Sequence, residues 1–393
     1  MAVDMDKLQQ LLGKVVGDLG GAAAGALGRL GDRVGLFKGL AAGGAQTSAE
    51  LAKRTKTQER LVREWLNAMA AAAYVHYDPA TSKFSLDEEQ AFAFAQEDSP
   101  AFMGGGFQAI GSMWLDEEKV AKSFKTGKAL DWGQHHHSLF EGTERFFRPG
   151  YNANLIASWI PAMDGVKEKL ERGALVADVG CGHGASTILM AKSFPKSTFI
   201  GFDYHKPSIQ TAAKKAKAAG VAKNTKFQVA KSTNFPGTGY DLITFFDCFH
   251  DMADPAGAAK HVRAKLKPGG SWMLVEPFAK DKPEENHNPI GKLFYSASTM
   301  ICVGVSLAQK GPALGAQAGE AKIREIVTKA GFTRFRRATE TPLHLVFEAL
   351  SWFPSWTGQG TAPESGRRDD GDEGIPAVDG KAEGGATPSA DPR

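Results

Sequence analysis

The chain has 393 residues, of which 42% are hydrophobic and 23% charged, and this composition excludes collagen-like, coiled-coil and wholly disordered proteins. The formal net charge of +3 is too small to indicate binding to nucleic acids or membranes. Three cysteines without a CxxC or zinc-ligand spacing predict a reducing, cytoplasmic location with no disulfide framework and no metal site. Glycine is the outlier, because its 45 residues make up about 11% of the chain against a usual value of about 7%.

The first hundred residues predict a helical domain, which we assign to residues 1–99. Apolar residues at helical spacing from Leu8 to Leu19 predict an N-terminal helix. The stretch from Gly20 to Gly44 is rich in Ala and Gly, which weakens helix propensity but permits close contact between helices. We therefore expect these small residues at a dimer interface.

A winged helix is predicted within this domain. Thr47 or Ser48 caps a first helix, and a second helix carries apolar residues from Val62 to Met69 at positions i, i+3, i+4 and i+7. Two short strands around a turn at Asp78–Thr81 then form a hairpin. Because the second helix carries two arginines interleaved with two glutamates, it lacks the basic patch that DNA binding requires. We expect a dimerisation or lid role instead.

Residues 100–170 predict a helical linker or lid. The aromatic and basic residues Phe146, Phe147, Arg148 and Tyr151 either cover a ligand or pack as part of a linker. The adjacent histidines His135–His137 cannot all face one ion, so we predict a polar lid at a pocket mouth there and no metal site.

Beyond Arg172, strand-like runs alternate with helical ones. The predicted strands are Ala174–Val179, Thr198–Asp203, Thr225–Ala230, Tyr240–Phe246, Ser271–Glu276, Thr333–Ala338 and Leu343–Glu348. This alternation predicts a mostly parallel, seven-stranded sheet with helices on both faces. The fold class is therefore α/β, with a Rossmann-like domain over residues 171–350 behind an all-α, winged-helix domain. Residues 351–393 are rich in Gly, Pro, Ser and acids and are predicted to be a disordered tail.

A glycine-rich turn closes the first strand of the predicted sheet. Asp178 precedes the glycines Gly180, Gly182 and Gly184, which let backbone NH groups approach a ligand. Asp203 ends the next strand, where an acid accepts both ribose hydroxyls of a nucleoside. The turn fits a loose dinucleotide fingerprint, but the preceding acid favours S-adenosylmethionine, which carries an ammonium and a sulfonium and has no pyrophosphate.

A second motif follows the fourth strand of the predicted sheet. The run from Asp247 to Asp251 contains His250 and lies at the C-terminal edge of the sheet, where ligands bind in folds of this kind. Glu276 ends the fifth strand. A histidine with an ordinary pKa of about 6.5 is a suitable base for a phenol, which is a poor nucleophile at neutral pH.

With these two motifs, the chain resembles the class I S-adenosylmethionine-dependent methyltransferases. It is most similar to the small-molecule O-methyltransferases with an N-terminal winged-helix dimerisation domain. The resemblance covers about residues 171–350 for the catalytic domain and about 25–95 for the winged helix. It implies that S-adenosyl-L-methionine is the cofactor and that a homodimer forms through the N-terminal domain.

The resemblance also implies which residues bind the cofactor. The glycines of the turn and Asp178 would hold the methionine moiety, Asp203 the ribose and Tyr204 the adenine. Family members usually carry an acid near the adenine amine, whereas this chain has Ser232 in that region as the expected substitute. The full expected set is Asp178, Gly180, Gly182, Gly184, Asp203, Tyr204, Ser232 and Asp247.

For catalysis, the resemblance implies that His250 takes the substrate proton and that Glu276 steers it. Two alternatives stay open at this stage, namely that His250 only packs at the sheet edge, or that the site works by in-line positioning. The second steering acid of the plant-type enzymes would precede Glu320, but residues 314–319 contain no carboxylate. The methylated atom, whether O, N or C, is therefore left open.

A long insertion at Asp281–Gly319 separates the fifth strand from the next helix. Long insertions in compact domains are usually functional, so we predict a wall that covers the substrate, with core packing as the alternative. Its apolar run Leu293–Gln309 is short for a membrane span and predicts a buried or ligand-lining helix. Such a wall implies a hydrophobic acceptor.

The sequence therefore predicts a cytoplasmic, homodimeric methyltransferase (EC 2.1.1.-) that acts on a hydrophobic small molecule. Two other functions are weighed against it. One is a winged-helix transcriptional regulator that uses the α/β domain as a ligand sensor, and the other is a nicotinamide-dependent oxidoreductase.

Overall fold

The computed structural model describes residues 3–350, which belong to one compact unit. The predicted tail at 351–393 lies outside the described residues. The boundaries predicted near residues 99 and 170 stay predictions, because they coincide with no break in packing.

The N-terminal region begins with a long helix, α1 (Met5–Arg33), which Asp4 caps by accepting hydrogen bonds from two backbone NH groups of the first turn. The Ala/Gly stretch is helical despite its low helix propensity, because α1 is continuous and α2 (Leu36–Gly43) follows after two residues. Tertiary packing overrides propensity here. A Cβ atom at Gly28 would meet the Phe107 ring, and one at Gly31 would meet the Trp65 ring. These two glycines therefore serve packing within the protomer, not a dimer interface.

The winged helix follows in the predicted order. Its elements are α3 (Ser48–Thr55), α4 (Glu59–Ala71), β1 (His76–Asp78), β2 (Lys83–Ser85) and α5 (Glu88–Phe94). Thr47 caps α3 in a reciprocal capping box with Glu50, and β1 pairs with β2 in antiparallel register. The apolar face of α4 packs Trp65 against Phe37 of α2, edge to face. The predicted helix–turn–helix with a hairpin is confirmed.

Four helices connect this region to the sheet. They are α6 (Gly104–Leu115), α7 (Glu117–Thr126), α8 (Ser138–Asn154) and α9 (Val166–Arg172), with a π-helical turn at Leu155–Trp159. Helices α6 and α8 cross closely, since a Cβ atom at Gly105 would meet the backbone of Arg145 and one at Gly142 would meet the backbone of Ala109. This contact fixes α8 beside the sheet.

The predicted seven-stranded sheet is confirmed. Its strands are β3 (Leu175–Val179), β4 (Thr198–Asp203), β5 (Thr225–Val229), β6 (Tyr240–Phe246), β7 (Leu266–Pro277), β8 (Arg334–Glu340) and β9 (His344–Leu350). The spatial order is β5-β4-β3-β6-β7-β9-β8. The first five strands in this order run parallel, whereas β9 pairs antiparallel with both β7 and β8. Strand β7 starts earlier than predicted because Leu266 pairs with Tyr240 across a register shift.

Six helices complete the α/β region. They are α10 (Ala185–Ser193), α11 (Lys206–Ala218), α12 (Pro255–Lys265), α13 (Pro289–Ala297), α14 (Val303–Ala308) and α15 (Gly319–Lys329). Helices α13 and α14 join through a π-helical turn into one stretch, Pro289–Ala308, with a mean hydropathy of 1.4. By length and composition it could cross a membrane, a criterion that a core helix also meets, and 39% of its residues in that window are buried.

Strand order reverses direction between β3 and β6, because the chain builds outward from β3 to β5 and then returns to β6 on the other side of β3. In open α/β sheets, ligands bind in the crevice outside the carboxyl ends of the strands at such a switch point. The loops after β3, β4, β6 and β7 therefore frame the place where a site is expected.

Candidate active site

A cavity of about 550 Å³ lies at this edge of the sheet. One side is formed by the loops after β3, β4 and β6, and the other by helices α6, α8, α13 and α14. Its size lies within the usual range for sites that bind small molecules and cofactors, about 300–1,000 Å³.

The glycine-rich turn contributes two of its three glycines to the cavity wall. Gly180 and Gly182 line the cavity with φ angles of +76° and +51°, in the left-handed region that favours glycine. At Gly180 a Cβ atom would meet Cys248 Sγ at 2.5 Å, whereas at Gly182 nothing lies within 4 Å. Gly184 does not line the cavity, and a Cβ atom there would meet Ala212 and Phe227. The contact of Gly184 with the cofactor stays a prediction, and in this structure the glycine allows the start of α10 to pack closely against α11 and β5.

Asp178 also lies away from the cavity. Its carboxylate is buried and accepts hydrogen bonds from the hydroxyls of Ser186, Thr187 and Thr244. Burial raises the pKa of Asp178, and these three hydroxyls oppose that effect. The predicted contact between Asp178 and an ammonium or sulfonium stays a prediction, while in this structure the carboxylate ties β3 to the first turn of α10 and to β6.

Asp203, by contrast, lines the cavity where β4 ends. Its two oxygens accept hydrogen bonds from the backbone NH groups of Gly182, at 2.9 Å, and His205, at 2.8 Å. Burial raises the pKa of Asp203 to about 6. The carboxylate is thus fixed beside the glycine turn, with lone pairs left for further donors.

Tyr204 and Ser232 line the same side of the cavity. The Tyr204 hydroxyl donates to Asp131 Oδ1 at 3.1 Å, and the Gln309 amide donates to the same oxygen at 2.9 Å. This contact joins the linker, the loop after β4 and the end of α14. Sequence reasoning missed Asp131 and Gln309, because they lie 73 and 105 residues from Tyr204.

Asp247, the first residue after β6, lines the cavity with a φ angle of +52°. Its Oδ2 atom accepts a hydrogen bond of 2.7 Å from the Tyr151 hydroxyl. Its Oδ1 atom is buried and has no hydrogen-bond partner among residues 3–350. The sequence placed both residues near a ligand but gave no signal that they meet.

His250 is buried and faces the cavity, and Glu276 lies behind it. The Nδ1 atom of His250 is 2.7 Å from Glu276 Oε2, while Glu276 Oε1 accepts the backbone NH of Phe249 at 2.9 Å. Burial disfavours the imidazolium, but the Glu276 carboxylate and the neighbouring Cys302 outweigh burial and raise the pKa of His250 well above 6.5. Cys302, which the sequence placed only in an apolar wall, lines the cavity beside this histidine.

Within the described residues, the stretch 314–319 before Glu320 offers no carboxylate as a second steering acid. The backbone NH of Gly315 donates to the His250 carbonyl at 3.1 Å, and Glu320 pairs with Arg324 and Arg337 instead. Asp251 is a cavity residue to which no role was assigned, and burial raises its pKa to about 7.

The opposite side of the cavity is mostly apolar. The insertion lies in the wall as predicted, with Phe294, Ile301 and Val305 facing the cavity. From the linker, Phe146, Phe147 and Tyr151 line it, whereas Arg148 does not line it and pairs with Glu97 and with Glu144, an acid that does. The sequence therefore identified both segments, the insertion and the linker, that form this side of the cavity.

The three histidines of the linker do not form a lid over the cavity. His135–His137 are absent from its lining, and His135 is buried with Nδ1 3.1 Å from Asp116 Oδ2. The same Asp116 oxygen accepts the backbone NH of His136. The prediction of a polar lid is corrected, since His135 and Asp116 join the loop before α8 to the start of α7.

Comparison with known protein families agrees with this architecture. Residues 170–331 match the family model of a methyltransferase domain, and residues 22–96 match that of an Rv2258c-like winged HTH domain.

Among curated proteins, the chain is 31% identical over 110 residues to the uncharacterized methyltransferase YcgJ of Bacillus subtilis, covering 28% of this chain and 42% of that protein. It is 26% identical over 215 residues to acetylserotonin O-methyltransferase of Mus musculus, covering 50% and 52%. The chain thus spans about half the length of these relatives.

Solved structures match the fold over more of the chain. Human N-acetylserotonin methyltransferase in complex with SAM has a TM-score of 0.64 at 17% identity and covers 89% of this chain and 99% of its own. PigF with SAH has a TM-score of 0.64 at 17% identity, covering 89% and 100%. Together with the sheet order and the two family matches, these likenesses show that the chain carries a class I methyltransferase domain behind an N-terminal winged helix–turn–helix domain.

Proposed function

We propose that this protein transfers the methyl group of S-adenosylmethionine to a hydroxyl group of a hydrophobic small molecule. The observation that carries the proposal is that two features line one cavity. A glycine turn with a half-buried acid, Asp203, lines it together with His250, which is backed by a buried acid, Glu276.

The cofactor half of the cavity fits S-adenosylmethionine on three points. Gly180 and Gly182 leave the turn without side chains where a ligand approaches. Asp203 offers carboxylate lone pairs to ribose hydroxyls, and Tyr204 and Ser232 lie on the same side for the adenine. The unpartnered Oδ1 atom of Asp247 suits the ammonium of the methionine moiety.

S-adenosylmethionine supplies a methyl group on a positively charged sulfur, so the residues of the chain need only align and deprotonate the acceptor. With Glu276 holding Nδ1, the Nε2 atom of His250 is the one left for the acceptor proton. The raised pKa of His250 means that the ring gives up its proton to solvent, and so can accept one from the acceptor, only at a higher pH than a free imidazole does. In-line positioning by the walls contributes the remaining alignment.

The acceptor half of the cavity favours an uncharged, apolar and aromatic molecule. Phe146, Phe147 and Phe294 present rings to it, and Ile301 and Val305 present aliphatic groups. Burying an apolar acceptor against these side chains is favourable because it removes apolar surface from water.

We also propose that the protein is a cytoplasmic homodimer. Helix α1 exposes a row of large apolar residues, Leu11, Leu12, Val15, Val16 and Leu19, each at least 42% accessible. Apolar patches of this kind mark protein interaction sites. A Leu12→Glu, Leu19→Glu double variant is expected to be monomeric by light scattering, and an unchanged mass would contradict the dimer.

The two alternative functions are separable by experiment. Arg60 and Arg63 on α4 pair with Glu64 and Glu59, so α4 offers little free positive charge to DNA. A fluorescence-anisotropy titration with nonspecific DNA at low salt is expected to show no binding. Calorimetry is expected to show binding of S-adenosylhomocysteine and none of NAD.

The proposed reaction is tested with S-adenosylmethionine carrying a radiolabelled methyl group and a panel of phenols, with aliphatic amines as the comparison class. Transfer to a phenol supports the proposal. Tight binding of NAD, or transfer to amines alone, would contradict it.

A further inference from the structure

A buried hydrogen bond joins the linker to the end of β6. The Tyr151 hydroxyl on α8 donates to Asp247 Oδ2 at 2.7 Å, and both side chains are more than nine-tenths buried. Helix α8 belongs to residues 97–169, the segment between the two matched family models. The contact therefore adds a residue from outside the methyltransferase match to the cavity wall.

Asp247 has a backbone conformation that is unusual for a residue other than glycine. Its φ angle is +52°, and its NH donates to the Val275 carbonyl at 2.8 Å, which holds this conformation at the edge of the sheet. Left-handed conformations at residues other than glycine cluster at active sites and ligand clamps. The backbone thus directs this carboxylate into the cavity at an energetic cost.

The carboxylate of Asp247 has a donor on one oxygen only. Oδ1 is buried without a hydrogen-bond partner among residues 3–350. Among the same residues, the only basic nitrogen within 4 Å of the Asp247 carboxylate is His344 Nε2. It lies 3.5 Å from Oδ2 and makes no hydrogen bond. A buried, half-satisfied carboxylate that lines a cavity calls for a cationic donor from a ligand.

Tyr151 is suited to hold such a carboxylate without removing its charge. Burial and the nearby Asp247 raise the pKa of Tyr151 well above 10, so its hydroxyl stays a donor. The ring is fixed by Phe246, at 5.2 Å between centroids, and by Trp159, at 6.0 Å. The hydroxyl therefore has one orientation and one acceptor.

We propose that Tyr151 is a positioning residue, which holds Oδ2 of Asp247 so that Oδ1 receives the ammonium of the methionine moiety of S-adenosylmethionine. The inference rests on the proposed function and assigns a residue of the linker to cofactor binding. It follows that α8 and the cofactor share one carboxylate, so the linker is part of the cofactor site.

The test compares two ligands by calorimetry. S-adenosylhomocysteine carries the amino-acid part, and 5′-methylthioadenosine keeps the nucleoside and the sulfur but lacks both the ammonium and the carboxylate of that part. Tyr151→Phe keeps the ring and removes the hydroxyl. We expect this variant to bind S-adenosylhomocysteine about tenfold or more weakly, because a hydrogen bond to a charged group is lost. Its affinity for methylthioadenosine is expected to stay unchanged.

Two further single variants and one double variant make the test more specific. Asp247→Asn is expected to reproduce the selective loss, and combining it with Tyr151→Phe is expected to add little. Tyr240→Phe is the matched control, because that buried hydroxyl donates to the Pro236 carbonyl outside the cavity, and it is expected to bind both ligands normally.

Equal weakening of both ligands by Tyr151→Phe, or an unchanged affinity for S-adenosylhomocysteine, overturns the role of Tyr151. If Tyr151→Phe fails to fold, Asp247→Asn decides in its place, and normal binding by that variant overturns the inference. A wild-type protein that binds neither ligand overturns the proposed function itself, an outcome distinct from the others.

Discussion

The Nδ1 atom of His250 lies 2.7 Å from Oε2 of Glu276, with both side chains buried where β6 and β7 end. This pair fixes the ring so that Nε2 is left for the acceptor. It also raises the pKa of His250 well above 6.5, because the Glu276 carboxylate and Cys302 outweigh the effect of burial. A base of this kind gains activity at a higher pH than a histidine with the ordinary pKa of 6.5.

The first prediction follows for the pH dependence of turnover. Below its raised pKa His250 carries a proton and cannot accept another, so kcat is expected to rise with pH along a limb above pH 6.5. His250→Ala should remove that limb and lower turnover about 100-fold or more, while calorimetry shows an unchanged affinity for S-adenosylhomocysteine. Turnover that stays normal in this variant would reduce His250 to a structural residue.

The second prediction concerns Glu276→Gln. Because the backbone NH of Phe249 donates to Oε1, the glutamine oxygen is expected to keep that place and present its amide NH₂ to Nδ1 of His250. The ring then carries its proton on Nε2, and this atom can no longer accept the proton of the acceptor. We expect kcat to fall by a similar factor of about 100, with little change in cofactor affinity. Glu325→Gln, on the exposed face of α15, is the control, and comparable losses in both variants would contradict a specific role.

Sequence patterns located the sheet well, since buried runs such as Tyr240–Phe246 and Thr198–Asp203 are strands with those bounds. They could not show where side chains point. The sequence predicts Asp178 as a ligand residue, but it gives no sign that Ser186 and Thr187 donate hydrogen bonds to its carboxylate. The contact of Tyr151 with Asp247 was also invisible, because the two are 96 residues apart.

Helix α1 shows the other limit of the sequence. Glycine lowers helix propensity wherever it occurs, and only the packed structure reveals that Phe107 and Trp65 occupy the space beside Gly28 and Gly31. Local propensity therefore does not decide the structure at a place where tertiary contacts do.

The third prediction uses the pKa of Asp203, which burial raises to about 6. The carboxylate is ionised above that pH and neutral below it, and only the ionised form accepts both ribose hydroxyls. Affinity for S-adenosylhomocysteine is therefore expected to fall as the pH drops through 6. Asp203→Asn should bind about 1–3 kcal/mol more weakly and lose this pH dependence. Calorimetry from about pH 5 to about pH 7.5 measures both, and a flat wild-type profile would contradict the assignment.

The fourth prediction contrasts two glycines of the turn. Alanine is strained at both, since φ is +76° at Gly180 and +51° at Gly182. Only at Gly180 would the new Cβ atom meet Cys248 Sγ, whereas at Gly182 the space within 4 Å is empty. We expect Gly180→Ala to lower the unfolding temperature more than Gly182→Ala in thermal scans. Equal unfolding temperatures of the two variants would show that the loop after β6 moves aside for the new methyl group without a loss of stability.

The last prediction concerns Arg145, which ties the N-terminal region to α8. Its guanidinium donates to both oxygens of Asp32, at 2.8 and 3.2 Å, and to Glu97 at 3.0 Å. The Arg145 side chain is only 12% exposed. Removing one partner of a buried ion pair leaves the other charge uncompensated, at a cost of about 3–5 kcal/mol.

Arg145→Met is therefore expected to lower the free energy of unfolding in urea by about 3 kcal/mol, the lower end of that range, because Glu97 keeps Arg148 and Lys38 as partners. The same variant should weaken S-adenosylhomocysteine binding, since α8 also carries Tyr151 into the cavity. Arg60→Met, in an exposed pair with Glu64, is the control and should change neither quantity. A loss of stability with normal binding would mean that α8 holds Tyr151 in place without its tie to the N-terminal region.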